Sequence, residues 1–177
     1  PIATGVDLLG VGLCSSEIGF PAAPFADLYA RARADGLHTV AHAGEEGGPD
    51  SVWEVLEHLR VERVDHGIRA MSDPGLVRHL AERRIPLTVC PLSNVRLRAV
   101  GELSTHPLPA MLDAGLVACV NSDDPAYFGG YLDDNIAAVT DAFGLTPDQV
   151  ATLARNSIEA SFLPAADKQR LLSAVPA

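Results

Sequence analysis

No stretch of the 177 residues holds eighteen uninterrupted apolar positions, the length at which a hydrophobic run reads as a membrane-spanning helix, so no membrane partner is expected. Nor does Pro1-Ile2-Ala3 begin the basic and then apolar pattern of an export signal. Basic residues are few: 13 Lys plus Arg stand against 23 Asp plus Glu, a formal net charge of −10, and no basic run interrupts the acidic excess. A phosphate-backbone footprint needs clustered cations, so nucleic acid is not an expected partner. Cysteine is sparse as well. Cys14, Cys90 and Cys119 are odd in number, far apart and without Cys-x-x-Cys spacing. That pattern disfavours bridges and suits buried thiols in a reducing compartment, so a cytoplasmic location is expected. An initiating Met is also lacking, which a start inside a longer protein, removal of the Met or numbering of an observed segment would each produce.

What is present is the composition of a folding chain, 47% hydrophobic and 20% charged. Short β-branched or Leu-rich runs alternate with amphipathic stretches. The run from Gly5 to Leu13 leads through Ser15, Ser16 and Glu17 to a helix around Phe25 to Ala32, which Gly36 stops. Leu37 to Ala41, Val61 to Val64, Pro86 to Cys90 and Leu116 to Val120 are the further runs. Between them, Pro49-Asp50-Ser51 and Asp73-Pro74 open helices, and another helix is expected from about His106 to Ala114. Pro91 to Thr105 reads as a polar and apolar mixture. Three helices follow: Leu132 to Phe143, a segment from Thr146 to Phe162 with a Thr146/Gln149 capping box and Pro147 at its first position, and Ala165 to Val175.

The polar residues closing the runs are Cys14, His42, His66, Cys90 and Asn121, at intervals of 28, 24, 24 and 31. That is the length of a strand, a helix and the return loops, so a parallel α/β sheet with helices over it is predicted, in a single domain over 1–177. The pattern alone does not separate an open sheet from a barrel, but a complete eight-stranded barrel takes about 250 residues and five units fall short of closure.

Four run ends carry polar clusters: Ser15-Ser16-Glu17, His42-Ala43-Gly44-Glu45, Asp65-His66-Gly67 and Asn121-Ser122-Asp123-Asp124. The carboxyl ends of parallel strands are where such folds collect catalytic groups. A lone His after an apolar run is more often structural, but Ala43-Gly44 lets the backbone turn so that Glu45 can face the cavity of His42. Asp65-His66-Gly67 has a bland reading as a turn in which the Asp holds the His, and Asp123-Asp124 has one as a capping pair before Pro125. Ser93 and Asn94, after the fourth run, can close a loop around the site. His nitrogen with carboxylate oxygen suits zinc and admits iron or manganese. His42 and one Asp are the obvious donors, whereas a catalytic zinc takes at least three protein ligands plus water.

The ordered motifs His42-Ala43-Gly44-Glu45, His66-Gly67 and Ser122-Asp123-Asp124-Pro125 resemble the second half of the adenosine and adenine deaminase family of the amidohydrolase superfamily. The resemblance runs from about Leu9 to beyond Tyr131. It implies the C-terminal part of a (β/α)8 TIM barrel, about strands 4 to 8 plus C-terminal helices, and one zinc ion. His42 and Asp123 are then metal ligands, Glu45 the proton donor to purine N1, and His66 the residue that orients and helps deprotonate the attacking water. Asp124 becomes the partner of hydroxide and purine N7. The family completes its ligand set with a His-x-His pair, and no two of His38, His42, His58, His66, His79 and His106 lie two apart. The resemblance thus implies a missing barrel half or a complementing chain.

Val11-Gly12-Leu13, Ser15-Ser16-Glu17, His42-Ala43-Gly44-Glu45-Glu46-Gly47, Cys90-Pro91-Leu92-Ser93-Asn94-Val95 and Asn121 to Gly130 look more like adenine deaminases than the nucleoside enzymes. Ser15 matches a position that is Gly in many adenosine deaminases, which places it at substrate, where its bulk opposes a ribose. The implied reaction is hydrolytic removal of the purine 6-amino group, adenine and water giving hypoxanthine and ammonia. Adenosine or an N6-modified purine is the neighbouring alternative substrate. A noncatalytic purine-binding or assembly fragment is the more distant one. A cytidine deaminase would need a Cys-rich ligand signature that is absent, and a carboxylate-pair glycosidase would leave His42 and His66 without a use.

Overall fold

A computed structural model of the protein describes residues 8–176. Five parallel strands lie side by side in chain order: β1 (Gly10–Leu13), β2 (His38–Ala43), β3 (Arg63–His66), β4 (Leu87–Val89) and β5 (Ala118–Val120). Parallel neighbours need a long crossover, and helices supply it. They are α1 (Ala26–Ala34), α2 (Pro49–Glu54, prolonged by a π-helical segment over Val55–Leu59), α3 (Pro74–Arg83), and α4 (Pro91–Arg96) with α5 (Leu108–Asp113). Beyond β5 come α6 (Pro125–Phe128), α7 (Leu132–Phe143), α8 (Pro147–Ala160) and α9 (Ala165–Leu172). Residues Gly5 to Asp7 of the first apolar run lie outside the described residues. Among the described residues no helix is long and apolar enough to cross a membrane.

Side chains alternate across a strand, and here the two faces of the sheet differ. Ala41, Ala43, Val64, Leu87, Val89, Ala118 and Val120 join Leu59, Leu76, Leu80 and Met111 in one buried core. On the other face His42, Arg63, Asp65 and Thr88 are only half buried. The sequence shows little of this alternation because apolar residues such as Val40 also occupy the half-buried face.

Local chemistry sets the helix starts. The Asp73 side chain accepts from the amides of Gly75 (2.7 Å) and Leu76 (3.2 Å) ahead of α3. Thr146 and Gln149 form the expected capping box on α8, whose Asn156 donates to the carbonyl of Ala118 at 2.8 Å and ties the helix to β5. Two sequence boundaries need correction. The mixture after Pro91 contains α4, too short to show a helical period. The helix placed at His106 begins at Leu108, because His106 is extended and its Nδ1 accepts the Leu108 amide at 3.1 Å.

Candidate active site

All five strands end at one edge of the sheet, and the polar clusters follow them there. Ser15, His66 and Asp123 have φ of +91°, +67° and +57°. Side chains rarely adopt this region, and such strain concentrates where a fold holds functional groups. Gly44 and Gly67 turn the chain at the same edge with φ of +70° each. A Cβ at Gly44 would stand 2.6 Å from Val52 and one at Gly67 2.7 Å from Leu87, so only glycine fits.

A cavity of about 600 Å³ is lined by His42, Asp65, His66, Cys90, Asp123 and Asp124. A second of about 440 Å³, lined by Cys14, Ser15, Glu17, Phe20 and His42, adjoins it. Ser15 therefore borders the neighbouring space rather than the cavity of the aspartates. Asp124 occupies the N-cap position of α6 without accepting a capping hydrogen bond and is exposed. The capping alternative for the pair thus has no support from Asp124, while Asp123 instead accepts the Ser93 hydroxyl at 2.7 Å.

Glu45 lies buried beside this cavity, its carboxylate 3.3 Å from Nδ1 of His66. The turn presenting it is clamped by Glu17, which accepts from the amides of Gly44 (2.7 Å), Glu45 (2.9 Å) and Glu46 (3.1 Å) and from the Ser51 hydroxyl (2.8 Å). Burial opposes ionisation of Glu17, but the Ser51 hydroxyl and the three amides together outweigh it and keep its pKa below the ordinary value. For Glu45 burial dominates, and the charges of Asp123, Glu17 and Glu46 add to it; only the Asn94 hydrogen bond pulls the other way. Its pKa is pushed up to about 7. Burial, followed by the neighbouring His42, lowers His66 to about 4, against the pull of Asp123, Asp65 and Glu17.

Asn94 joins these groups. His106 takes the Leu108 amide on Nδ1, so a neutral ring carries its proton on Nε2 and donates to Asn94 Oδ1 at 3.2 Å. That fixes the Asn94 amide the other way round, with Nδ2 donating to Glu45 at 2.8 Å and 3.3 Å from His66 Nδ1. Burial holds His106 near a pKa of about 4, which keeps it in the neutral form this arrangement requires.

For a metal, His42 and Asp123 face the same cavity. The donors that converge among the described residues are a different set: atoms of His66, Cys90 and Asp123 all lie within 4.8 Å of one another. Burial, then the carboxylates around it, raises the Cys90 thiol pKa and leaves it protonated and a poor ligand. The turn reading of Asp65-His66 is corrected as well. Asp65 is in register with His42 on β2, so its side chain stands beside that ring, while His66 turns toward Glu45 and Asn94. Sequence reasoning set Asp65 against His66 rather than His42 and gave His106 no place in the site. For Ser93 and Asn94 the signal existed, in a polar pair just past an apolar run.

The family model described as adenosine deaminase matches residues 5–177. The adenine deaminase of Streptomyces coelicolor is 60% identical over 156 residues, covering 88% of this chain and 46% of the relative. That of Caulobacter vibrioides is 55% identical over 170 residues, covering 96% and 49%. The chain thus spans about half the length of the curated relatives it matches. The crystal structure of adenine deaminase from Arthrobacter aurescens superposes with a TM-score of 0.93 at 54% identity, over 94% of this chain and 51% of that one. An amidohydrolase from Burkhoderia ambifaria with bound Zn gives 0.87 at 31% identity, over 93% and 46%. The five parallel strands match part of the adenine deaminase TIM barrel. Motifs, sheet and family model agree over nearly the whole sequence, and the chain belongs to the adenosine deaminase family.

Proposed function

We propose that this chain forms part of a metal-dependent deaminase domain that hydrolyses the 6-amino group of a purine, adenine and water giving hypoxanthine and ammonia. The observation that carries the reading is the pairing of a buried carboxyl with its pKa near 7 and an uncharged imidazole 3.3 Å away. General acid and base catalysis works best with such poised groups.

The donor set fits one cation in part. His42 and Asp123 line the same cavity, one offering an imidazole nitrogen and the other a carboxylate. His42 and Asp123 would hold zinc, or iron or manganese, and the remaining donors would come from a barrel half outside these 177 residues or from a complementing chain. When bound, such an ion supplies a Lewis acid that lowers the pKa of water.

The protein's own groups do the rest. Glu45, still protonated in a large share of molecules near pH 7, gives its proton to N1 and makes C6 more electrophilic. His66, uncharged there, takes a proton from the attacking water. Asp124, free of a capping duty, orients that water and meets N7. Ser15 in the adjoining cavity bounds the purine edge and disfavours a ribose. Water adds to C6, the amine leaves as ammonia after protonation, and hypoxanthine remains.

Amine release from adenine, adenosine and N6-methyladenine, compared on the purified metal-loaded protein, tests the assignment. Adenine is expected to be fastest. A clear preference for adenosine or the methylated base would overturn the choice of substrate, and no release from any of them would favour a noncatalytic fragment.

A further inference from the structure

Two buried side-chain nitrogens lack a hydrogen-bond partner among the described residues, His42 Nδ1 and Arg63 Nε. Both lie 3.5 Å from the same carboxylate, that of Asp65, one at each oxygen. The register explains the placement: His42 on β2 pairs with Asp65 on β3, so the side chains stand together on one face, with Arg63 two positions back on that face. Asp65 is also pinned from the next strand, where the Thr88 hydroxyl donates to Oδ1 at 2.6 Å. Arg63 is itself anchored, donating to the Ala160 carbonyl at 3.0 Å with its guanidinium 4.8 Å from the centre of the Phe162 ring.

We propose that Asp65 is a positioning residue that holds the His42 ring with its proton on Nδ1, leaving the Nε2 lone pair to a cation. The inference rests on the metal reading of His42 above. Thr88 donates to Oδ1, the oxygen that Arg63 also faces, and Oδ2 is left to face the imidazole. In a neutral ring one nitrogen carries the proton, so an acceptor at Nδ1 decides which nitrogen is free. A cation on Nε2 withdraws electron density, makes Nδ1–H a stronger donor and favours closing the present 3.5 Å gap to hydrogen-bond length. Carboxylates in this position raise the basicity of a ligating histidine and fix its orientation. The competing account makes Asp65 a mere partner of Arg63, in which case its loss changes stability and leaves metal affinity alone.

The experiment uses the full-length metal-loaded protein and three chains: the parent, Asp65→Asn and His42→Ala. Zinc affinity is read by competition with a chelator, and the His42 ring nitrogens by 15N NMR. Asp65→Asn should weaken zinc binding by roughly 10–100-fold, and His42→Ala should weaken it at least as much. In the parent, the spectrum should show the proton on Nδ1 and zinc on Nε2. Parent-like zinc affinity in Asp65→Asn, with His42→Ala weakened, would overturn the role of Asp65 alone. Unchanged affinity in His42→Ala would overturn both this role and the metal reading. Because the ring is read in the parent, the proposal is exposed even if Asp65→Asn fails to fold: zinc on Nδ1 would end it.

Discussion

Glu45, His66, Asn94 and His106 form a connected group of buried polar side chains, with Asn94 in contact with the other three. Asn94 donates to the Glu45 carboxylate and so favours its charged form. Asn94→Ala should therefore push the Glu45 pKa further up, moving the basic limb of the pH–rate profile to higher pH while lowering kcat. A basic limb that stays in place would remove Asn94 from this role. The same groups set acid stability. Histidines at about 4 when folded and 6.5 otherwise stabilise the fold above pH 6.5, a contribution lost as pH falls toward 4. Glu45, raised from 4.5 to about 7, acts oppositely: its contribution is full below 4.5 and is lost as pH rises through 7. With two histidines against one carboxyl, the apo protein should lose stability on acidification from pH 6.5 to 4. Thermal melts over that range, with His106→Gln showing a shallower fall, check the sign. His42, Glu45, His66, Asp123 and Asp124 were legible because each closes or follows an apolar run. Asp65 and His106 were not, since strand register sets one beside His42 and the other reaches Asn94 from an extended position twelve residues along the chain.

At the scale of elements, the sequence disclosed most where local chemistry is strong. Thr146 with Gln149, Asp73 with Pro74, and Leu132–Phe143 are in the structure where caps and periodicity put them. It disclosed least at α4, whose six residues bring Ser93 to Asp123 and Asn94 to Glu45 without a full hydrophobic repeat. The strand-to-loop turns are the rigid part of the site. Gly67 combines a φ of +70° with Leu87 packed against its missing side chain. Gly67→Ala should cost about 1–2 kcal/mol in backbone strain alone. That is roughly 2–8 °C in Tm for a chain of this size, more if Leu87 cannot move. An unchanged Tm would mean that the turn relaxes freely.

On the scale of the whole molecule, five parallel strands, about half the length of the matched relatives, and two candidate metal donors in one cavity tell one story. Strand-length intervals made the parallel sheet readable, but closure was not, because a barrel and an open sheet share the same repeat. The metal reading predicts that Asp123→Ala in the full-length protein lowers zinc content by elemental analysis, while Asp124→Ala leaves it near the parent's and lowers turnover. Equal zinc in the parent and Asp123→Ala would remove Asp123 from the ligand set.

The most direct measurement is ammonia release from adenine by the full-length metal-loaded protein beside its Glu45→Gln variant, with zinc content determined in both. Turnover is expected in the parent, with a loss of about 10²–10⁴-fold in the variant at unchanged zinc. Equal turnover in the two would contradict the assignment of Glu45 as the acid and, with it, the proposed mechanism.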